Sequence, residues 1–331
     1  MDIRDRRMLK SAAADALGAA QFDPKKQILL HSGAVLLLSL IMTAVDYLLE
    51  EAVAGTGGLG GLGTRSVLAT VQSCLRLFQR VLLPFWQIGY TYVTLKFTRK
   101  EITAPIDLCK GFHLFLPVLR LLFFQGLLYL GLGLLGSYLG TFLFFMTPWS
   151  APLMTAAMEM MYGGGSMEAM DAAMEQVLSE ASVPLTVCGG IVFLALSAPF
   201  FYRFRMAQFV LLEEPEKGAL NALRTSRRLM RGNAMTLFKL DVSFWWFYLL
   251  DLGVTAVCYA DVLLALLGIT LPVSATFSFF ASFGVYLVCQ LALYWWRKNE
   301  VDTTYAVFYD ALKQPRQPKP APVPQKQPWT Y

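Results

Sequence analysis

The sequence predicts an all-α, polytopic membrane bundle of about six transmembrane helices, joined to short amphipathic cytoplasmic helices. Three observations carry this expectation. Hydrophobic residues make up 56% of the 331-residue chain and charged residues only 15%, where soluble globular chains carry about 25% charged residues. The mean hydropathy is +0.50. No Lys or Arg lies between Arg120 and Arg203, and residues 121–158 hold no charge of either sign. Apolar runs of about 20 residues recur along the chain, the length that a hydrocarbon core of about 30 Å requires.

Residues 1–26 are charged and alanine-rich. Within them Met8, Leu9, Ala12, Ala13, Ala16 and Leu17 fall at helical spacing, which predicts an amphipathic cytoplasmic helix over 4–20. The first apolar run is not followed by a clear small-residue cleavage site, so it is expected to remain as an anchor. A six-span membrane domain is expected over 27–299, with spans near 28–49, 67–97, 121–145, 183–202, 237–259 and 272–296. The second span holds Arg76 and Arg80, which places its first turns toward the outer interface. The fifth and sixth are separated only by a short stretch around Asp261. Between the third and fourth, residues 147–182 form a Met-rich acidic outer loop, read as two short amphipathic helices around Gly163, Gly164 and Gly165. A second amphipathic cytoplasmic stretch, 217–231, sets Leu220, Leu223, Leu229 and Met230 against Arg224, Arg227, Arg228 and Arg231. Residues 313–331 are rich in Pro, Gln and Lys and are expected to be a disordered cytoplasmic tail.

Orientation follows from the basic residues, which concentrate in cytoplasmic loops. One set of flanks carries 24 Lys and Arg; the opposite set carries Arg65 alone, among Glu50, Glu51, Glu159, Glu168, Asp171, Glu175, Glu180 and Asp261. Six spans then put both termini in the cytoplasm. Trp149, and Trp295 with Trp296 before Arg297, sit at span edges, where an apolar ring with a polar edge is favoured. The formal net charge of +5 is thus explained by membrane flanks and gives no reason to expect nucleic acid as a partner. Anionic lipid headgroups at the cytoplasmic face are the expected partners of Arg224, Arg227, Arg228 and Arg231. The plainer alternative is a helix packed under the bundle with arginines that merely follow the positive-inside bias. A protein partner or a homodimer is a further expectation.

Catalytic chemistry finds little support. Cys74, Cys109, Cys188, Cys258 and Cys289 form no CxxC pair and read as small buried apolar residues. His31 and His113 have no companion at metal-ligand spacing. Gly58 to Gly63 match GxGxxG in form, but the motif needs a preceding strand, and here the string lies between two membrane spans. No GxSxG occurs. No catalytic, cofactor-binding or metal-binding residue is therefore assigned, and no enzyme activity is expected.

Charges inside the membrane are costly unless paired or wet. Asp251 follows Lys239 by 12 residues, so it stands about 18 Å above the cytoplasmic edge. Arg80 precedes Lys96 by 16 residues, about 24 Å up by the same rule. A snorkelling arginine spans the difference, so Asp251 is expected to pair with Arg80, and Arg76 to lie near Asp46. Asp241 is expected to pair with Arg228 or Arg231, or to cap its helix. Gly136 and Gly140 form GxxxG, which allows close helix approach, within the monomer or across a dimer.

Residues 203–247 carry the most specific pattern: Glu213, Glu214 and Pro215, then Gly218-Ala219-Leu220, Ala222-Leu223, Ser226, Leu229-Met230, Gly232, and Phe238-Lys239-Leu240-Asp241 with Ser243-Phe244. This stretch resembles the domain of unknown function 975 family of bacterial integral membrane proteins. The helix ending Ala16-Leu17-Gly18 and the Lys110-Gly111-Phe112 turn are similar to that family too. More distantly, the same loop is similar to the membrane domain attached to some glycerophosphodiester phosphodiesterases, whose catalytic barrel has no room here. The resemblance implies a bacterial cytoplasmic membrane and about six spans; it implies no activity. The recurrence of Ala16-Leu17-Gly18, Leu108-Cys109-Lys110-Gly111 and Leu229-Met230-Arg231-Gly232 before outward spans suggests a weak internal repeat of three helical hairpins, with chance as the other explanation. Two functions are consistent with all this: a non-enzymatic scaffold or accessory factor, and a small transporter or permease component using Asp251 and Arg80.

Overall fold

The structure is a computed structural model that describes residues 5–55, 61–162, 167–257, 259–260 and 275–314. In chain order the helices are α1 (Arg6–Gly18), α2 (Pro24–Gly55), α3 (Gly61–Thr98), α4 (Lys110–His113), α5 (Phe115–Phe145), α6 (Ala151–Tyr162), α7 (Met167–Phe204), α8 (Ala207–Glu213), α9 (Gly218–Met230), α10 (Ala234–Val242), α11 (Trp245–Val257), α12 (Ala275–Leu293) and α13 (Asn299–Lys313). No strand occurs among the described residues. The 58–60 part of the glycine string, the 163–165 glycine break, the connection around Asp261 and the tail beyond 314 lie outside them.

Three long pairs form the frame: α2 packs on α3, α5 on α7, and α11 on α12. Residues Pro24–Leu49, Phe115–Phe145 and Ala181–Glu213 are long and apolar enough to cross a membrane; α10 and α11, bent by 62°, add a fourth span if taken together. These helices mark a membrane protein, but among the described residues they give three or four spans where about six were expected. Polar side chains are the reason for α3, which carries Arg76, Arg80, Gln87, Thr91 and Thr94, while α12 is described only from Ala275. The second short helix expected in the outer loop is also absent as a separate element: from Met167 the chain runs unbroken into α7. Along α5, Leu127, Leu130 and Leu134 are exposed, as suits a surface turned to acyl chains.

The GxxxG pair works inside the monomer. A Cβ at Gly140 would stand 2.4 Å from Gly189 Cα, and one at Gly136 would stand 3.0 Å from Phe193 Cα. The α5 and α7 backbones therefore come closest at Gly140 and Gly189, where neither carries a side chain. Gly140→Val is expected to lower stability by about 1–3 kcal/mol, read as a drop in Tm in detergent. Gly126→Ala, with nothing within 4 Å of its Cβ, serves as the neutral comparison.

A dense core gathers at the end of the bundle that holds α1, α8, α9 and α13. Leu9 and Ala13 of α1, Phe85 and Ile88 of α3, Met206 and Leu211 beside and within α8, and Tyr305, Phe308 and Tyr309 of α13 are all buried in it. The amphipathic α1 begins at an Asp5 cap, whose carboxylate accepts from the Arg7 backbone N–H at 2.9 Å. Its polar face reaches a helix break. Between α10 and α11 the Ser243 hydroxyl turns back to the Leu240 carbonyl at 2.6 Å, a local bond that competes with the helical ladder. The Ser243 carbonyl accepts from Lys10 Nζ at 3.2 Å. A cation from α1 thus satisfies a backbone group that the break leaves open.

The three glycines of the suggested repeat do different jobs. Gly111 lies against α3, where a Cβ would stand 2.0 Å from the Phe85 carbonyl oxygen. Gly232 has φ +79, a left-handed turn after α9, and Gly18 has open space around it. The hairpin pairing is real in the fold, but the shared glycines have no single structural cause.

Candidate functional site

A cavity of about 340 Å³ lies among α3, α5, the α7–α8 junction and α13. Helical spacing assembles its polar wall. Gln87, Thr91 and Thr94 recur along one face of α3, Gln125 and Tyr129 stand one turn apart on α5, and Asp302 and Tyr305 share a face of α13. Arg205 enters from the short link between α7 and α8 and Gln208 from the first turn of α8, with Phe201, Phe204 and Phe209 as the apolar side.

Arg205 is the basic group in that wall, and aromatic rings flank it. Its guanidinium lies 4.5 Å from the Tyr305 ring centroid and 4.9 Å from that of Phe201, both within cation–π range. Against the cost of burial, Tyr305, Asp241 and Tyr248 all favour its charged form. Tyr248 and Tyr305 share a hydroxyl contact of 2.5 Å, and the Tyr305 hydroxyl donates to Asp241 Oδ1 at 2.6 Å. Asp241 therefore meets α13 across the core. It does not meet Arg228 or Arg231, which stay exposed at the end of α9 and just beyond it. Burial raises the Tyr305 phenol well above its usual value, with Asp241 adding to the effect and Arg205 opposing it.

A second cluster closes the same end. Glu213, the last residue of α8, accepts from Arg99 and the Tyr309 hydroxyl and pairs with Lys313 Nζ at 2.7 Å. Arg99 also reaches Asp310 at 2.9 Å, and the Thr98 hydroxyl donates to the other Asp310 oxygen at 2.9 Å. The hydrogen bonds to Asp310 and Glu213 raise the pKa of Arg99. Burial, then Glu213, raises that of Tyr309.

Asp251 and Arg80 are not brought together. Asp251 Oδ1 accepts from the Gln290 amide of α12 at 2.7 Å, and Arg80 is exposed on α3. The reason is helix adjacency: equal depth does not make two helices neighbours, and Asp251 finds its partner on the helix that α11 packs against. The same rule explains the pair that does form, Arg76 Nε to Asp46 Oδ2 at 3.1 Å across the α2–α3 hairpin. Arg224, Arg227, Arg228 and Arg231 are all exposed, while Ala219, Ala222, Ser226 and Met230 form the buried face of α9. The Ser226 hydroxyl fixes that face to the Arg203 carbonyl at 2.8 Å.

Sequence reasoning missed Arg205, Glu213 as a hub, and α13. A usable signal existed for the last. Val301, Tyr305, Phe308 and Leu312 recur at three- and four-residue steps, with Glu300 and Asp302 in the first turn and Lys313 in the last. Among the described residues, no group of three or more His, Cys, Asp or Glu side chains could hold a metal ion.

No curated protein and no solved structure matches the chain. The likeness to the phosphodiesterase membrane domain rests on the loop residues alone. Residues 17–316 match the family described as protein of unknown function (DUF975), and the chain belongs to that family.

Proposed function

We propose that the chain is a six-span protein of the bacterial cytoplasmic membrane, with both termini inside, acting as a non-enzymatic scaffold or accessory factor that grips anionic lipid headgroups through α9. The observation that carries this is the exposed flank of α9. Arg224 and Arg227 fall on the same side of the helix as the half-exposed Leu220, and Arg231 is exposed just past its end, a combination suited to the boundary between headgroups and acyl chains. The crowding of Lys and Arg onto one set of flanks supports the orientation. For the remaining crossings, α3 at 38 residues is about 57 Å long, enough to cross despite its arginines, and α12 pairs with α11.

Each arginine near an anionic surface contributes up to about 1 kcal/mol. Replacing Arg224, Arg227, Arg228 and Arg231 by Gln together is expected to remove most of the phosphatidylglycerol that co-purifies in mild detergent. It should also remove the gain in Tm that added phosphatidylglycerol gives the parent chain. Unchanged lipid retention in the quadruple variant would remove the headgroup role.

A second reading, a small transporter or permease component, is favoured by one specific feature. The 62° break between α10 and α11 stands beside Asp241 and the cavity that Arg205 lines, and discontinuous helices next to a polar site are characteristic of secondary transporters. Under this reading the working residues are Arg205 and Asp241, not Asp251 and Arg80. Uptake of a labelled solute into proteoliposomes tests it.

A further inference from the structure

We infer that the cavity between α3, α5, the α7–α8 junction and α13 is a binding site for a small oxyanion, a carboxylate or phosphate group, received by the guanidinium of Arg205. The inference stands apart from the headgroup reading of α9. An arginine carries five N–H donors in a rigid fork. Here the Tyr305 and Phe201 rings lie 4.5 and 4.9 Å from the guanidinium, and the Tyr248 hydroxyl is a near neighbour that favours its charge. That leaves edge donors without a carboxylate, since Arg205 enters none of the ion pairs among the described residues.

The nearby acids are committed elsewhere. Asp241 accepts from Tyr305 at 2.6 Å. Asp302, which also lines the cavity, has Lys298 Nζ 3.1 Å from its Oδ2, an ion pair without hydrogen-bond alignment. Its charge is thereby offset and does not repel an incoming anion outright. Gln125 and Gln208 line the same space and supply neutral amide donors. A cavity of about 340 Å³ is at the small end of ligand sites, so it suits a single compact group rather than an extended chain. Guanidinium and oxyanion match as a bidentate pair, which an ammonium cannot reproduce.

The test is a thermal-shift titration of the full chain in nanodiscs, with acetate, inorganic phosphate and glycerol 3-phosphate as probes and choline chloride as the cationic control. Saturable stabilisation by at least one anionic probe at millimolar concentration is expected, with none from choline. Arg205→Lys keeps the charge and should weaken that probe about tenfold or more, and Arg205→Gln should abolish its effect. Because Arg205 also supports the tyrosine cluster, Gln125→Leu provides an independent variant on the α5 wall, expected to weaken the probe while keeping the parent Tm. The α9 quadruple variant should bind it normally. If phosphatidylglycerol nanodiscs suppress the shift that neutral phosphatidylcholine nanodiscs permit, the anion in the cavity is a lipid headgroup; if both permit it, the anion is a free solute. No saturable shift with any anionic probe, or equal shifts in the parent, Arg205→Lys and Arg205→Gln chains, overturns the inference.

Discussion

A chain ending at Lys298 is expected to yield no monodisperse protein in detergent, whereas one ending at Gln314 should keep the parent Tm within a few degrees. The difference between them is α13. Tyr305, Phe308 and Tyr309 are almost wholly buried, and so are Thr303, Thr304 and Ala306. Removing one large buried side chain costs about 2–5 kcal/mol, against a total stability of about 5–15 kcal/mol for an ordinary domain. Loss of α13 removes several at once. It also takes Tyr309 and Lys313 from Glu213 and Tyr305 from Asp241. The single substitution Phe308→Ala should already cost about 3–5 kcal/mol. Size-exclusion profiles and thermal unfolding of the two truncated chains decide the matter. A well-behaved chain ending at Lys298 would mean that the helical frame stands without α13.

The contrast between α5 and α13 shows what the sequence could and could not convey. For α5 the charge-free run speaks directly, because lipid selects residues by composition and nothing else need be known. The helix ends at Phe145 as expected and begins at Phe115, six residues before the predicted Leu121. For α13 the apolar residues alternate with Glu300, Asp302, Thr303 and Thr304, so composition suggests neither span nor core. Its burial depends on α1, α3 and α8 arriving around it from distant parts of the chain. Asp251 teaches the same lesson at a single residue. Depth along the membrane normal follows from counting, but the neighbour at that depth is set by which helices pair. Asp46 and Arg76 were legible because they lie in one hairpin. Arg205 was hidden for a different reason: in the run Arg203, Phe204, Arg205 it looks like any basic flank, and only the fold turns it into the cavity while leaving Arg203 exposed.

Glu213→Gln is expected to lower stability by about 2–4 kcal/mol, although it changes no side-chain volume. The carboxylate sits at the C-terminal end of α8, where the helix dipole disfavours negative charge. Arg99, Lys313 and the Tyr309 hydroxyl offset that cost together. Hydrogen bonds to a charged group contribute about 1.5–3 kcal/mol, and stranding a partner adds the penalty of desolvation. Their shares should differ with exposure. The Lys313 side chain is 47% exposed, so Lys313→Met should cost no more than about 1 kcal/mol, as for a surface pair. Arg99 is less exposed and holds Asp310 as well, so Arg99→Met should cost more than Lys313→Met, and a Glu213/Arg99 double-mutant cycle should return the larger coupling. Denaturant titrations in detergent measure all three. Equal coupling to Arg99 and Lys313 would mean that the cluster acts as diffuse surface charge, and a silent Glu213→Gln would mean that α8 is held by Phe209, Leu211 and Leu212 alone. The expected ranking, with Arg99 dominant, makes Glu213 the point where the end of α3, α8 and α13 are fastened together.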